Sequence, residues 1–288
     1  MATPQSAKNP HYPGPRDLSE SQRLKAQSDL VTAAFGALVL CPVDLAIPSL
    51  RILDSGTADG LFLTQIRSLL ADPESATLVG TDIAPFENNV SKPEYIDWQK
   101  QDVNTEWPAD WTGTFDFVHQ RAVLSNTGTF DRAVQATTRL SRLVKPGGWI
   151  QIVDSHMPDE KFDATDPPSL RMFKVIGQFL ARFGLNTNAS SRLSEILHAT
   201  NELQNIGSTE ANMRIGVGAK DEETRPAGRV WLSGMRRTVG DGLDKLGDSG
   251  PMTKNDWELL LDDVQREAET TGFDLKWWAA WGKRRAAE

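Results

Sequence analysis

A chain of 288 residues can bury one large α/β core or two small ones. Its 39 acidic against 31 basic side chains give a formal net charge of -8, a field that repels phosphate backbones and anionic lipid, so neither nucleic acid nor a membrane surface is expected as a partner. The single cysteine, Cys41, admits no intrachain disulfide, and a start without the basic and apolar segments of a secretory signal predicts a cytoplasmic protein.

The first 15 residues are Pro-rich and read as extended chain. Leu24, Val31, Phe35 and Leu38 fall near helical spacing and predict a helix over 18–40, with Ser19 and Gln22 as a capping box. "LVTAAFGALVLCPVDLAIP" is interrupted by Pro42 and Asp44, so it reads as buried helix and turn and not as a membrane span. "LRILD" (50–54) is a strand closed by a loop with Gly56 and Gly60, and Leu61, Ile66, Leu69 and Leu70 predict the next helix. "ATLVGTDIA" (76–84) is a second strand, with Asp82 at its end and 22 residues beyond Gly60, the interval of a βαβ unit.

Short strands follow at 97–104, ending near Asp102, and at 114–120. Phe130, Val134, Leu140, Leu143 and Val144 predict a helix over 129–144, stopped by "KPGG", and "WIQIVD" (149–154) is a fifth strand. Strands alternating with helices predict an α/β, doubly wound, mostly parallel sheet. Beyond it, helices are expected at 169–183, 189–200, 227–246 and 254–271, with strands at 210–218 and 275–283. The economical arrangement is one domain: an N-terminal extension and helix (1–45), a cofactor-binding core (46–154), cap helices and a strand (155–252), and a final helix and strand (253–288).

In such a sheet a ligand lies beyond the carboxyl ends of the central strands. A dinucleotide fingerprint needs a third glycine three residues after the second, to seat pyrophosphate on the helix N-terminus. Here Ala58 replaces the middle glycine, Leu61 stands at the third position, and Asp59 brings negative charge to where phosphates would lie. A Tyr-x-x-x-Lys pair is also missing, since Arg16 and Gln99 follow Tyr12 and Tyr95 at that spacing. S-adenosylmethionine (SAM) has no phosphate and carries a sulfonium and an ammonium, so an acid-rich crevice suits it. Asp54, Asp82 and Asp102, at three successive strand ends, would face the ammonium, the ribose and the adenine amino group respectively.

These stretches resemble a known family, the class I SAM-dependent methyltransferases, and within it the fungal secondary-metabolism group that includes velvet-complex regulator-like proteins. The likeness runs over nearly the whole chain, through "HYPGPRDLSESQRLKAQSDLVTAAFGALVLCP", "ILDSGTADGLFL", "GTDIAPF", "QDVNTEWP", "FDFVHQR", "LVKPGGWIQIVD" and "DWELLLDDVQREAETTGFDLKWWAAWGKR". The resemblance implies a Rossmann-like class I methyltransferase fold with a seven-stranded, mostly parallel sheet, a helical N-terminal segment and a helical cap insertion. It implies SAM contacts at Tyr12, Asp54, Gly56, Thr57, Ala58, Gly60, Asp82, Ile83, Asp102 and Val103. Gln120 and Arg121 would flank the methyl end, and Arg23 and Gln27 would lie on a helix closing over the cofactor. The departures are Ala58, Asp59 and Ser28, the last where the group commonly has His. At Ala58 a negative φ would leave the loop relaxed, and a positive one would strain the site.

Methyl transfer is an in-line displacement that gains from alignment, and a hydroxyl acceptor also needs a base. His156, at the start of the loop after the fifth strand, and His119, in the fourth, are the candidate catalytic residues. Met172, Phe173, Ile176 and Phe179 form an apolar helical face, read as core or as the lid over an apolar acceptor, while Trp149, Trp277, Trp278 and Trp281 read as core or interface. The expected function is O-methylation of a small, largely apolar natural product, leaving S-adenosylhomocysteine, by a monomer or homodimer without a metal. Two other functions stay open: a methyltransferase-fold cyclase that does not methylate, and a regulatory binding protein.

Overall fold

The computed structural model describes residues 14–84, 86, 90, 92–219 and 224–286, so Tyr12 lies outside the described residues. The strands are β1 (Arg51–Ser55), β2 (Thr77–Asp82), β3 (Ile96–Lys100), β4 (Phe115–Arg121), β5 (Val144–Ser155), β6 (Leu203–Ile215) and β7 (Phe273–Arg284). They form one sheet in the order β3-β2-β1-β4-β5-β7-β6, parallel from β3 through β5, with β7 antiparallel to both β5 and β6. The order reverses between β1 and β4, which makes their carboxyl ends the switch point where a doubly wound sheet opens a crevice. Ile52, Leu53, Phe117 and Val118 in these central strands are fully buried, as expected of strands covered by helices on both faces.

The helices are α1 (Leu18–Phe35), α2 (Leu61–Arg67), α3 (Phe130–Leu143), α4 (Pro168–Arg182), α5 (Leu193–Ala199), α6 (Thr224–Leu246) and α7 (Lys254–Thr270). One core cluster joins α1, α4, α6 and α7 to β7 through Phe179, Trp231, Trp257 and Trp277. The second gathers around α3 and α5, and the third around α2. No helix among the described residues is long and apolar enough to cross a membrane.

Three local expectations change. The N-cap of α1 is Asp17, whose side chain accepts the Glu20 amide at 3.1 Å, because Ser19 already lies inside the helix. The same helix ends at Phe35, where Gly36 takes a left-handed φ of 80°. The sixth strand starts at Leu203 and not at 210, since "LQNIGST" sits on the sheet edge, where polar residues are tolerated and periodicity fades. α1 reaches the crevice because α6 lets it approach: a Cβ at Gly234 would lie 2.4 Å from Arg23 Cγ.

Candidate active site

A cavity opens at the carboxyl ends of β1, β2, β4 and β5, roofed by α1 and α6. One half is acidic and lined by Asp54, Asp59, Asp82 and Asp102; the other is apolar and lined by Met157, Ile176, Phe179, Leu185, Trp231, Met235 and Trp277.

The loop after β1 holds three left-handed residues in alternation, Gly56 (φ 74°), Ala58 (φ 53°) and Gly60 (φ 79°). Glycine is needed at 56 and 60, where a Cβ would come within 2.3 Å of Val123 Cγ2 and 2.5 Å of Trp98 Cη2. Ala58 accepts its positive φ at a cost of roughly 1 kcal/mol. The Asp82 carboxylate compensates by accepting the Ala58 amide at 3.0 Å. Most other amides of the loop are bonded as well. Gly56 and Thr57 both donate to Thr81 O at 2.8 Å, Gly60 donates to Thr57 O, and Leu61 donates to Asp59. With these amides bonded, the loop itself offers fewer donors to a phosphate than a dinucleotide-binding turn does.

Asp54, at the end of β1, stands opposite His119 in the β1–β4 register and accepts or shares a proton with its Nδ1 at 2.8 Å. His119 is 1% exposed and stacks on Phe62 with ring centroids 3.5 Å apart and planes 6° from parallel. Burial lowers its pKa below the ordinary 6.5, against the opposing pull of Asp54. The imidazole is therefore neutral, with its Nδ1 proton held by the carboxylate. Two positions along, Arg121 donates to Ser28 Oγ at 3.0 Å, and Ser28 Oγ donates to Gln65. Its guanidinium faces the Asp54 and Asp59 carboxylates, which oppose the lowering of its pKa by burial. Burial likewise raises Asp59, against the hydrogen bond it accepts from Ser21 Oγ.

Asp82 bonds on both oxygens, Oδ1 to the Arg16 guanidinium at 2.9 Å and to the Ala84 amide at 3.2 Å, and Oδ2 to Ala58. Arg16 also lies over the Phe86 ring. Asp102 Oδ1 is held by the amide and side chain of Asn104.

No family model matches the chain. It is 33% identical over 272 residues to N-methyltransferase sirN of Leptosphaeria maculans, with 94% of each chain aligned. To N-methyltransferase gliN of Aspergillus fumigatus it is 30% identical, over 92% of this chain and 93% of that one. The chain belongs to this family of fungal SAM-dependent methyltransferases. In fold it is similar to phosphoethanolamine N-methyltransferase 2 of Haemonchus contortus in complex with phosphomonomethylethanolamine and S-adenosylhomocysteine, with a TM-score of 0.50 and 15% identity, covering 92% of this chain and 53% of that one.

The methyltransferase uses SAM and releases S-adenosylhomocysteine, and the residues present fit that cofactor: carboxylates for its cationic centres, a guanidinium for its carboxylate, and a glycine loop most of whose amides are already bonded. Thr57 also lines the crevice, with its Oγ1 buried and without a partner. Arg23, Gln27, Asp54, Gly56, Thr57, Ala58, Asp82, Ile83, Asp102, Val103 and Arg121 all line the cavity. Gly60 sits behind it against Trp98. Gln120 is a correction: strand alternation turns it away from the His119 and Arg121 face, to donate to Ser55 Oγ at 3.0 Å. His156 is another: Ser155 and Met157 line the cavity, whereas His156 Nδ1 lies 3.3 Å from Thr187 O and is outside the lining. Arg16, Phe86, Trp231 and Thr238 also line it and carried no local signal, because contacts such as Arg16 to Asp82 bridge distant parts of the chain.

The buried imidazole makes a pH prediction. Below the ordinary histidine pKa of 6.5 the unfolded chain takes up a proton that folded His119 refuses, so its contribution to stability falls as pH falls. Asp154 acts oppositely: burial raises it to about 6 from 3.8, so between those values the folded state takes the proton first and gains stability on acidification. Comparison with His119→Asn, which keeps an N–H for Asp54 but cannot titrate, isolates the first effect. Wild type is expected to lose stability relative to the variant as pH drops through 6.5 in denaturant titrations; a difference independent of pH would contradict the assignment.

Proposed function

We propose that this enzyme transfers the methyl group of SAM to a nitrogen atom of a small, largely apolar acceptor in secondary metabolism, acting in the cytoplasm as a monomer or homodimer. Residues 46–154 would carry the cofactor and 155–252 the acceptor cap, and the chain would group with biosynthetic enzymes and not with velvet-complex regulators.

Bound SAM supplies an electrophilic methyl group, whose transfer to nitrogen leaves S-adenosylhomocysteine and one proton. The protein's part is placement. Asp54, fixed by His119, and Asp59 would set negative charge beside the ammonium and sulfonium, while Arg121 would offer its guanidinium to the carboxylate. Asp82 would receive the ribose hydroxyls, and Ile83, Phe86, Asp102 and Val103, which line the same part of the cavity, would take the adenine. The apolar half holds the acceptor in line with the methyl and excludes water, which supplies much of the rate of a displacement of this kind.

What favours nitrogen over the oxygen expected from sequence is the small supply of free bases. Of the titratable groups bordering the apolar half, Glu20 is paired with Arg23, Asp154 accepts the Ser155 and Leu124 amides at 2.8 and 3.1 Å, and His119, held by Asp54 through Nδ1, keeps only its Nε2 lone pair. A hydroxyl needs a base as its bond forms, whereas an amine brings its own lone pair and sheds its proton afterwards. The N-methyltransferase names of the relatives agree with this reading. The test is a competition between an aromatic amine and a phenol of the same size for labelled methyl; the amine is expected to receive it, and methylation confined to oxygen would reverse the proposal.

A further inference from the structure

Gln27 of α1 lines the cavity, and its Oε1 accepts two hydrogen bonds, from Arg23 Nη1 at 2.8 Å and Trp231 Nε1 at 3.4 Å. Guanidinium and indole groups only donate, so the oxygen of the amide must face them, and its orientation is settled by chemistry. Arg23 is itself clamped from the other side by both oxygens of Glu20, at 2.9 and 2.8 Å, and Glu20 and Arg23 are 2% and 5% exposed. The amide is thus held from behind by a buried network. Its Nε2, with two N–H groups, has no hydrogen-bond partner among the described residues.

Gln27 is half-buried, so this amide is open to the cavity and free to meet a ligand there. The Trp277 ring lines the same cavity, but its indole nitrogen is itself fully buried and adds no donor to it. An amide donor without a partner, set in a largely apolar wall, describes a pocket for an apolar molecule bearing an oxygen acceptor.

We infer that Gln27 reads a carbonyl oxygen on the methyl acceptor, donating to it through Nε2, and so selects apolar carbonyl compounds over hydrocarbon-like amines. The inference rests on the apolar half being the acceptor site. It assigns Gln27 to the acceptor and not to the cofactor, where the family resemblance had placed it.

The test uses the full chain saturated with S-adenosylhomocysteine and two bicyclic probes, 3,4-dihydro-2(1H)-quinolinone and 1,2,3,4-tetrahydroquinoline, which differ by a carbonyl in place of a methylene. In calorimetric titrations the lactam is expected to bind wild type about tenfold tighter, the worth of one satisfied donor in a buried site. Gln27→Glu keeps an acceptor for Arg23 and Trp231 but inverts the cavity-side donor, and Gln27→Met removes it at similar volume. Both should erase the lactam preference and leave S-adenosylhomocysteine affinity within about twofold. Equal affinity of the two probes for wild type, binding of neither, or a preference that survives both substitutions would overturn the inference. Loss of S-adenosylhomocysteine affinity in the variants would return Gln27 to the cofactor carboxylate, which also overturns it. Because these are binding measurements, they stand apart from which atom is methylated, and failure of the nitrogen proposal would leave their outcome readable.

Discussion

Asp82→Ala is expected to weaken S-adenosylhomocysteine binding by about 100-fold, near 3 kcal/mol for two charge-assisted hydrogen bonds lost. The carboxylate has two duties. It is the acceptor at the end of β2 assigned to the ribose hydroxyls, and it pins the loop that shapes the crevice. Its Oδ2 accepts the amide of Ala58, a residue held at φ 53°, and its Oδ1 accepts from Ala84 and Arg16. Alanine would release the strained loop and leave Arg16 beside Phe86 without its carboxylate. Asp82→Asn retains one acceptor oxygen, so its loss should fall between wild type and alanine. Isothermal titration with S-adenosylhomocysteine reads both variants. Affinity within a few-fold of wild type in Asp82→Ala would remove Asp82 from the cofactor site.

The second large effect is on the fold, at the acceptor side. Gly177, in the middle of α4, packs against the chain leaving β5. A Cβ there would lie 2.1 Å from the carbonyl oxygen of Pro158, 2.6 Å from its carbon and 2.7 Å from Met157 O. These are backbone atoms, so no side-chain rotation relieves the clash, and α4 must move away from the sheet. Overpacking of this kind costs about 3 kcal/mol. In a chain of this size, that lowers Tm by roughly 6 to 12 °C. Ile176 precedes the glycine and Met157 forms part of the clash, and both line the apolar half, so Gly177→Ala should also lose methyl transfer more than S-adenosylhomocysteine binding. Differential scanning calorimetry with and without the product separates the two. A Tm unchanged by the substitution would mean that α4 is seated more loosely than the structure has it.

What was legible in the sequence was whatever local chemistry dictates. Ile52 and Leu53 are adjacent apolar residues because their strand is covered on both faces, and Gly56 and Gly60 stand where a side chain would collide with Val123 and Trp98. The acids followed from their places at successive strand ends. The phase of a strand was harder to read: Gln120 and Arg121 are adjacent, and only the pairing of β4 with β1 decides that Arg121 turns to the crevice and Gln120 to Ser55. His156, one residue past the end of β5, lies by Thr187 and outside the cavity lining, while Ser155 and Met157 are part of it. Least legible was the acceptor roof. Trp231 meets Gln27 across 204 positions of sequence, and no periodicity in either helix announces that contact. The Glu20–Arg23 ion pair has the ordinary spacing of a solvent-exposed helix pair, yet it is buried, because the glycine at 234 admits Arg23 against α6.

The central claim is that the acidic half holds SAM and the apolar half presents a nitrogen to its methyl group. Its most direct test supplies the purified enzyme with SAM labelled at the methyl carbon and an equimolar mixture of the aromatic amine and its matched phenol, and follows the label by carbon NMR while S-adenosylhomocysteine is counted. The predicted result is label on nitrogen, with one S-adenosylhomocysteine released for each N-methyl group formed. Label appearing only on oxygen, or remaining on sulfur while the acceptors are converted without any S-adenosylhomocysteine, would contradict it.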